Sequence, residues 1–255
     1  MEHEREINFY AEEAKESGGP VLEIGFNAGE VSFRIAQWPS AIPSVVLECS
    51  KDTVAVTHRR KEELFFHRRI AVLKGQMDQF CILVLPLWDT LPRTAVGSAA
   101  QGNINCTVYN FLASGKDGEK SGEILEVKRE NLVFQEGLRW SLLEKNLWLP
   151  LFHATLTMAF PLIIIPFGGF QRLLSVKDQR NCLDDCRRHL ADGGRLIFDI
   201  SDEPECKLPS RKVVVRYEIE KRLQLCGFRI EKLYGDFDRR PSWVGNKQIW
   251  IVSKK

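Results

Sequence analysis

A short stretch near the start of the chain constrains its fold more than any other feature of the sequence. Residues 21–24 form an apolar run of the length of a buried strand, and Gly25 and Gly29 follow it. Apolar residues then recur at helical spacing over residues 31–36. A strand, a small-residue turn and a helix in this order bring free backbone N–H groups and the positive end of a helix dipole to a ligand. The stretch therefore predicts an α/β fold whose ligand binds at the turn.

An acidic residue follows this turn at the sequence separation that is common in nucleoside-binding folds. Residues 44–48 are typical of a second buried strand, and they end at Glu48. A carboxylate roughly 20 residues beyond such a turn commonly binds ribose hydroxyls in doubly wound folds. The dinucleotide fingerprint G-x-G-x-x-G is absent, because Asn27 and Glu30 occupy its second and third glycine positions. The pattern therefore indicates a nucleoside ligand and disfavours NAD and FAD.

Three later stretches extend the pattern along the chain. Residues 48–50 are Glu-Cys-Ser, residues 160–200 are typical of a strand, a helix and a Gly-Gly turn into another strand, and residues 225–238 of a helix end and a hairpin. Together with Glu-Ile-Gly-Phe-Asn-Ala-Gly at residues 23–29, they resemble the E/D-x-G-x-G-x-G motif and the later motifs of class I S-adenosylmethionine-dependent methyltransferases. The match covers residues 20–80 and 160–255, and small-molecule methyltransferases are the most similar members.

The resemblance implies an α/β fold with a doubly wound, mostly parallel seven-stranded sheet of the Rossmann-like methyltransferase type. Residues 1–80 and 160–255 would form the S-adenosylmethionine-binding domain, and residues 81–159 an inserted α+β segment. We expect residues 161–165 to be the fourth strand, because they lead directly into the recognisable helix. Residues 81–87 are the alternative for that strand.

The inserted segment carries its own pattern. Alternating apolar residues at 105–112 and 123–128 flank a turn rich in Gly and Lys, which predicts a β-hairpin. Residues 138–151 contain Trp140 and Trp148 with leucines at helical spacing. This composition suits a substrate lid or a homodimer interface, and a packed structural insertion is an equally good interpretation.

The resemblance also implies which residues bind the cofactor S-adenosyl-L-methionine. The methionine end would lie at the first turn, the ribose at Glu48, and the adenine at Gln76 and Met77. Gln76 stands where the family commonly has Asp, and its amide oxygen can accept the same hydrogen bond. The full set of predicted cofactor residues is Glu23, Gly25, Asn27, Gly29, Glu48, Ser50, Gln76 and Met77.

Candidate catalytic residues come from the two places where the family places its substrate. Tyr10 precedes the first strand, where a related Tyr lies over cofactor or substrate; simple packing of a helix on the sheet is the alternative. Gln171 and Arg172 follow the expected fourth strand, at the sheet edge where ligands bind. Asp199 is more typical of a loop carboxylate than of a substrate contact.

Composition excludes several other classes of protein. The chain has 255 residues, is 44% hydrophobic and 27% charged, and carries a net charge of +2 with no long basic run, which disfavours nucleic-acid partners. Seven scattered cysteines without a C-x-x-C spacing indicate reduced thiols rather than disulfides or a metal site. The charged N-terminus and short apolar runs predict a cytoplasmic protein without a membrane segment.

These observations predict an S-adenosylmethionine-dependent methyltransferase that acts on a nitrogen or oxygen of a small molecule. The alternative is a non-catalytic methyltransferase-like module for binding or dimerisation, which Asn27 and Gln76 favour. A nucleic-acid methyltransferase lacks support, because neither a basic surface nor an Asn/Asp-Pro-Pro-Tyr motif is present. The sequence identifies no general base, and an amine acceptor that arrives neutral requires none.

Overall fold

A computed structural model describes residues 2–25, 27–39, 42–66, 69–80, 82–86, 103–110, 121–128, 132–134, 156–201 and 209–255. Its helices are α1 (Glu2–Ser17), α2 (Glu30–Ala36), α3 (Lys51–Glu63), a short 3-10 helix (Gly169–Arg172), α4 (Val176–His189) and α5 (Pro209–Leu225). Its strands are β1 (Val21–Gly25), β2 (Ser44–Glu48), β3 (Ile70–Lys74), β4 (Ile82–Pro86), β5 (Asn103–Asn110), β6 (Ser121–Lys128), β7 (Leu132–Phe134), β8 (Leu156–Met158), β9 (Phe160–Ile165), β10 (Leu190–Ser201), β11 (Phe228–Tyr234) and β12 (Lys247–Lys254).

Seven of these strands form the main sheet, in the order β11-β12-β10-β9-β1-β2-β3. In this sheet, the five strands β10, β9, β1, β2 and β3 are parallel, and β12 is antiparallel to both of its neighbours. The predicted doubly wound, mostly parallel sheet is therefore confirmed. The predicted fourth strand is β9, which pairs with β1, whereas the alternative at residues 81–87 contributes β4 to another sheet.

The remaining five strands form a small antiparallel sheet in the order β6-β5-β4-β8-β7. Its β5 and β6 pair from Asn103 opposite Lys128 to Asn110 opposite Ser121, which confirms the predicted hairpin. Both of these strands lie beside β3, at the edge of the main sheet. Residues 138–151 fall outside the described part of the chain, and the role of residues 81–159 stays a prediction.

The main sheet is buried on both faces because its strands are apolar on both. Leu22 and Ile24 pack with α4 and α5 on one face, and Val21 packs with α1 and α2 on the other. On α4, Cys182 and Cys186 are one helical turn apart on the side that faces the core, and both are buried and free of disulfides. Ser175 caps the start of this helix, and its hydroxyl accepts the Asp178 N–H at 3.0 Å.

Side chains of α4 bind the backbone at the points where the chain enters and leaves the small sheet. Asp185 accepts the Phe80 N–H at 2.9 Å, and His189 Nε2 accepts the Ile82 N–H at 3.3 Å. Because Nε2 accepts, His189 Nδ1 carries the proton, and it donates to the Met158 carbonyl at 3.2 Å. Since β4 begins at Ile82 and β8 ends at Met158, one neutral imidazole fixes the first and last residues of the small sheet. Burial lowers the pKa of His189 to about 4.

His189 should therefore make folding sensitive to acid. The unfolded chain binds a proton on this residue below its ordinary value of 6.5 and the folded chain only below about 4, so the contribution is complete above pH 6.5 and is lost as the pH falls toward 4. Between pH 8 and pH 4, the free energy of unfolding should fall by about 3 kcal/mol more in wild type than in a His189→Gln variant, which keeps a donor and an acceptor but does not titrate. Urea unfolding across this pH range measures the difference. His58→Gln is the matched control, and an equal pH dependence in wild type and His189→Gln would contradict the assignment.

Candidate functional site

The turn after β1 has a backbone that few residues tolerate. Ala28 and Gly29 are consecutive left-handed residues, with φ of 52° and 68°, and Gly29 is the N-cap residue of α2. A methyl group on Gly29 would lie 3.1 Å from Val46 Cγ2. Glycine is thus required there by backbone conformation and by packing, which lets α2 begin directly above β2.

Gly25 has a different reason to lack a side chain. Its φ is not in the left-handed region, and a methyl group there would meet among the described residues only Asn27 Nδ2, at 4.0 Å. Asn27 itself is half-buried. Neither strain nor packing requires glycine at this position, so the open space above it is typical of close approach by a ligand. In the sheet register, Gly25 lies opposite Glu48.

Glu23 is committed to the structure of the turn. It is buried within β1, and its Oε2 accepts the Ser32 N–H near the start of α2 at 2.8 Å. Burial raises the pKa of Glu23 to about 7, although hydrogen bonds from Ser32 and Val31 oppose the change. The carboxylate therefore fixes where the helix begins, as an acceptor of N–H groups that the first turn leaves unpaired.

Glu48 is equally buried but less completely paired. Its Oε2 has no hydrogen-bond partner among the described residues. Burial first, and then the charge of Glu23, raise the pKa of Glu48 to about 7, and donors at Thr53, Gly29 and Ala28 oppose the change. Because an unpaired buried acceptor is costly, this oxygen is suited to a ligand that brings a hydroxyl donor. The arrangement fits the predicted ribose contact.

The other predicted cofactor residues lie at the same sheet edge in different environments. Ser50 caps α3, and its hydroxyl accepts the Asp52 N–H at 3.2 Å. Gln76 is exposed, whereas Met77 is buried in the core. Met77 Cε would lie 3.9 Å from a methyl group on Gly169, so Met77 reaches the turn after β9. The cofactor roles of all these residues stay predictions.

The three candidate catalytic residues have defined partners or positions. Gln171 is exposed, and its side-chain amide pairs with both backbone groups of Ser201, at 2.8 Å and 2.9 Å. Arg172 is exposed in the same short helix. Tyr10 is fully buried, and its hydroxyl donates to Asp199 Oδ1 at 2.9 Å. The catalytic assignment stays a prediction for all three.

Asp199 corrects an expectation from the sequence. It is not a loop carboxylate, because it lies within β10 and is fully buried. Its Oδ2 accepts the Gly168 N–H at 3.0 Å. The apolar residues on both sides of it, from Leu196 to Ile200, place it inside the sheet, and buried partners compensate its charge.

Sequence reasoning missed the other members of this buried group. Glu6 is buried, and its Oε1 accepts the Phe167 N–H at 2.8 Å. Lys247 Nζ lies 3.4 Å from Glu6 Oε2 and 3.7 Å from Asp199 Oδ2. We call Glu6, Tyr10, Asp199 and Lys247 the α1 cluster. The available signal was that Glu6 precedes Tyr10 by one helical turn, on the apolar face of α1.

Two further features are absent from the described residues, a metal site and a membrane-spanning helix. In the ranges given above, no group of three His, Cys, Asp or Glu side chains is placed to hold a metal ion. Among the helices in those ranges, none has the length and apolar character needed to cross a membrane.

Comparison by sequence finds no relatives of this chain. No protein-family model matches it, and no curated protein matches it.

Comparison by structure finds many matches. An S-adenosylmethionine-dependent methyltransferase from Clostridium acetobutylicum has a TM-score of 0.56 at 10% identity, covering 100% of this chain and 92% of that chain. The CcbJ methyltransferase from Streptomyces caelestis has a TM-score of 0.55 at 12% identity, with 98% and 89% covered. The glycopeptide N-methyltransferase MtfA, solved with S-adenosyl-L-methionine, has a TM-score of 0.52 at 13% identity, with 96% and 87% covered. The fold is that of the class I methyltransferases.

The turn after β1 should be intolerant of a methyl group at Gly29. We expect Gly29→Ala to lower the free energy of unfolding by about 1 kcal/mol more than Gly193→Ala, because left-handed strain is common to both and overpacking applies to one. Gly193 is the matched control, since its φ is 72° and no atom lies within 4 Å of the added methyl group. Urea unfolding of both variants gives the comparison. Equal losses would show that Val46 does not constrain the turn.

Proposed function

We propose that this chain, which has the class I methyltransferase fold, binds S-adenosyl-L-methionine at the carboxyl ends of β1 and β2 and transfers its methyl group to a nitrogen or oxygen of a small molecule. One observation carries the proposal. Among the described residues, the space above Gly25 is open and lies beside a carboxylate oxygen of Glu48 that has no hydrogen-bond partner, next to the point where the strand order reverses. Ligands of open α/β sheets bind in the crevice at such a switch point.

We assign the residues at this edge to the parts of the proposed cofactor as follows. Glu48 would accept hydrogen bonds from the ribose hydroxyls, and the turn from Gly25 to Gly29 would lie against the methionine end. Gln76 and Met77 would border the adenine. Glu23 would contribute indirectly, because it holds the start of α2 and therefore the shape of the turn.

The chemistry requires positioning more than it requires a catalytic acid or base. When bound, S-adenosyl-L-methionine supplies a methyl group that its sulfonium centre already activates. The protein would orient the acceptor and exclude water, and positioning of this kind can lower a barrier by roughly 7–11 kcal/mol. An acceptor amine that arrives neutral needs no base, so the proposal does not depend on a His/Asp pair.

A small-molecule acceptor has support from both charge and comparison. The net charge of +2 and the lack of a long basic run argue against nucleic acid. MtfA, a neighbour of this chain in fold, is a glycopeptide N-methyltransferase. We further propose a cytoplasmic protein on the composition alone.

A second candidate function is a non-catalytic binding or dimerisation module of the same fold. Two observations favour it: Gln76 is exposed and Met77 is packed in the core rather than left free for a ligand. Direct measurement of ligand binding separates the two candidates.

The open space above Gly25 gives the first test. Gly25→Ala should fold normally, with a free energy of unfolding within about 0.5 kcal/mol of wild type, because the added methyl group meets no packed atom. We expect its Kd for S-adenosylhomocysteine, measured by calorimetry, to rise at least tenfold, or about 1.4 kcal/mol. Gly193→Ala, which adds a methyl group near the start of β10 at the opposite edge of the sheet, should bind as wild type does. Wild-type affinity in a folded Gly25→Ala variant would exclude this cofactor site.

The ionisation of Glu48 gives the second test. An ionised carboxylate accepts hydroxyl hydrogen bonds more strongly, so binding should tighten as the pH rises through the raised pKa of about 7. With methylthioadenosine, which keeps the ribose and lacks the titratable amino-acid group, we expect Kd to fall about tenfold between pH 6 and pH 8. Glu48→Gln should bind more weakly and show no such pH dependence. Equal pH profiles for wild type and variant would remove Glu48 from the site.

A further inference from the structure

The α1 cluster lies at the same carboxyl edge of the main sheet as the proposed cofactor site. Asp199 is near the end of β10, and the turn at Phe167 and Gly168 directly follows β9. Strand β9 is the neighbour of β1 in the sheet, so this turn borders the crevice at the switch point from the side opposite Glu48.

This turn has an unusual backbone that other groups must hold. Phe167 and Gly168 are both left-handed, with φ of 58° and 65°. The left-handed conformation is strained for a residue other than glycine. Two carboxylates from different elements stabilise it: Glu6 of α1 accepts the Phe167 N–H, and Asp199 of β10 accepts the Gly168 N–H.

The charge of the cluster is unbalanced. Lys247 of β12 lies near both carboxylates, with its Nζ 3.4 Å from Glu6 and 3.7 Å from Asp199, and its positive charge lowers the pKa of each. These distances exceed those of a close charge-assisted hydrogen bond. When both carboxylates are ionised, the group therefore carries one net negative charge.

Several titratable groups of the described residues face the cluster or its turn, among them His3 of α1, whose ring centroid lies 5.0 Å from that of Phe167. Tyr10 of α1 donates to Asp199, and Glu23 of β1 acts on Tyr10. Burial, and then the charge of Asp199, raise the pKa of Glu6 to about 7, and burial also raises the pKa of Asp199. The cluster should thus gain or lose one proton near neutral pH.

We propose that the α1 cluster positions the wall of the crevice that faces the methyl acceptor, and that one proton on the cluster controls how firmly this wall is held. Glu6 and Asp199 are positioning residues in this sense, because they act through the backbone N–H groups of the turn. An ionised carboxylate accepts an N–H hydrogen bond more strongly than a protonated one, so ionisation tightens the turn. The acceptor-facing role rests on the proposed function, whereas the charge dependence of the turn does not.

Backbone amide NMR of the full-length protein tests the charge dependence. In a His3→Gln background, which removes the imidazole beside Phe167, the amide proton shifts of Phe167 and Gly168 should titrate together with a midpoint near 7, the raised pKa of Glu6. In Lys247→Met, loss of the cation should raise this midpoint by about one unit, a tenfold higher proton affinity. Lys247→Arg keeps the charge and should keep the wild-type midpoint. A role in packing alone would leave the midpoint unmoved in all of these variants.

A control on the same strand isolates the effect of position. Lys254→Met removes the same charge from the opposite end of β12, about 24 Å away, and should leave the midpoint unchanged. Flat amide shifts in the wild type, or equal midpoints in Lys247→Met and Lys254→Met, would overturn the inference.

Cofactor titration separates failure of this inference from failure of the proposed function. In calorimetry, Lys247→Met should bind S-adenosylhomocysteine within about threefold of wild type, because its effect is on the acceptor side, while Gly25→Ala loses about tenfold. A wild type that binds no S-adenosylhomocysteine overturns the proposed function and with it the acceptor-facing role. Flat amide shifts in a wild type that does bind overturn this inference alone.

Discussion

The burial of β1 between β2 and β9 is the constraint on which the rest of the structure depends. All five residues of the strand are buried, so helices must cover both faces of the sheet. The carboxylate of Glu23 in this strand then needs a buried partner, and the Ser32 N–H supplies it. That hydrogen bond fixes the start of α2, and the short connection left to the chain forces Ala28 and Gly29 into the left-handed region. The shape of the ligand crevice follows from this sequence of requirements.

The carboxyl edge of the main sheet concentrates buried acids. Glu6, Glu23, Glu48 and Asp199 are almost fully buried, and the pKa of each is raised. Lys247 compensates part of the charge on the side of β10 and β12, whereas burial first, and then a neighbouring carboxylate, raise the pKa of Glu23 and of Glu48. Under the proposed function, this edge would offer a cationic sulfonium a negative environment, divided by β1 and β9 into a cofactor side and an acceptor side.

Local patterns predicted the main sheet well because its strands are apolar runs with strong turn signals. The strand at residues 21–24, the strand ending at Glu48, the fourth strand and the hairpin of β5 and β6 all follow from periodicity and turn residues. The α1 cluster could not be predicted in this way, because it joins Glu6 to Lys247 across nearly the whole chain. Asp199 was misassigned because a single acidic residue after an apolar run is equally typical of a strand end. Its tertiary partners Tyr10 and Gly168 show what its buried carboxylate binds, which the flanking apolar residues alone do not.

The hydrogen bonds of His189 to both Ile82 and Met158 have a consequence for how such a chain can change over evolution. When a segment leaves and re-enters a scaffold at neighbouring points, the residues between them do not have to bridge any fixed distance. Their number and sequence are then free to vary while β3 and β9 stay where they are, so the small sheet behaves as an exchangeable module on an invariant frame. Selection for a new acceptor could act on that module separately from the residues that shape the crevice.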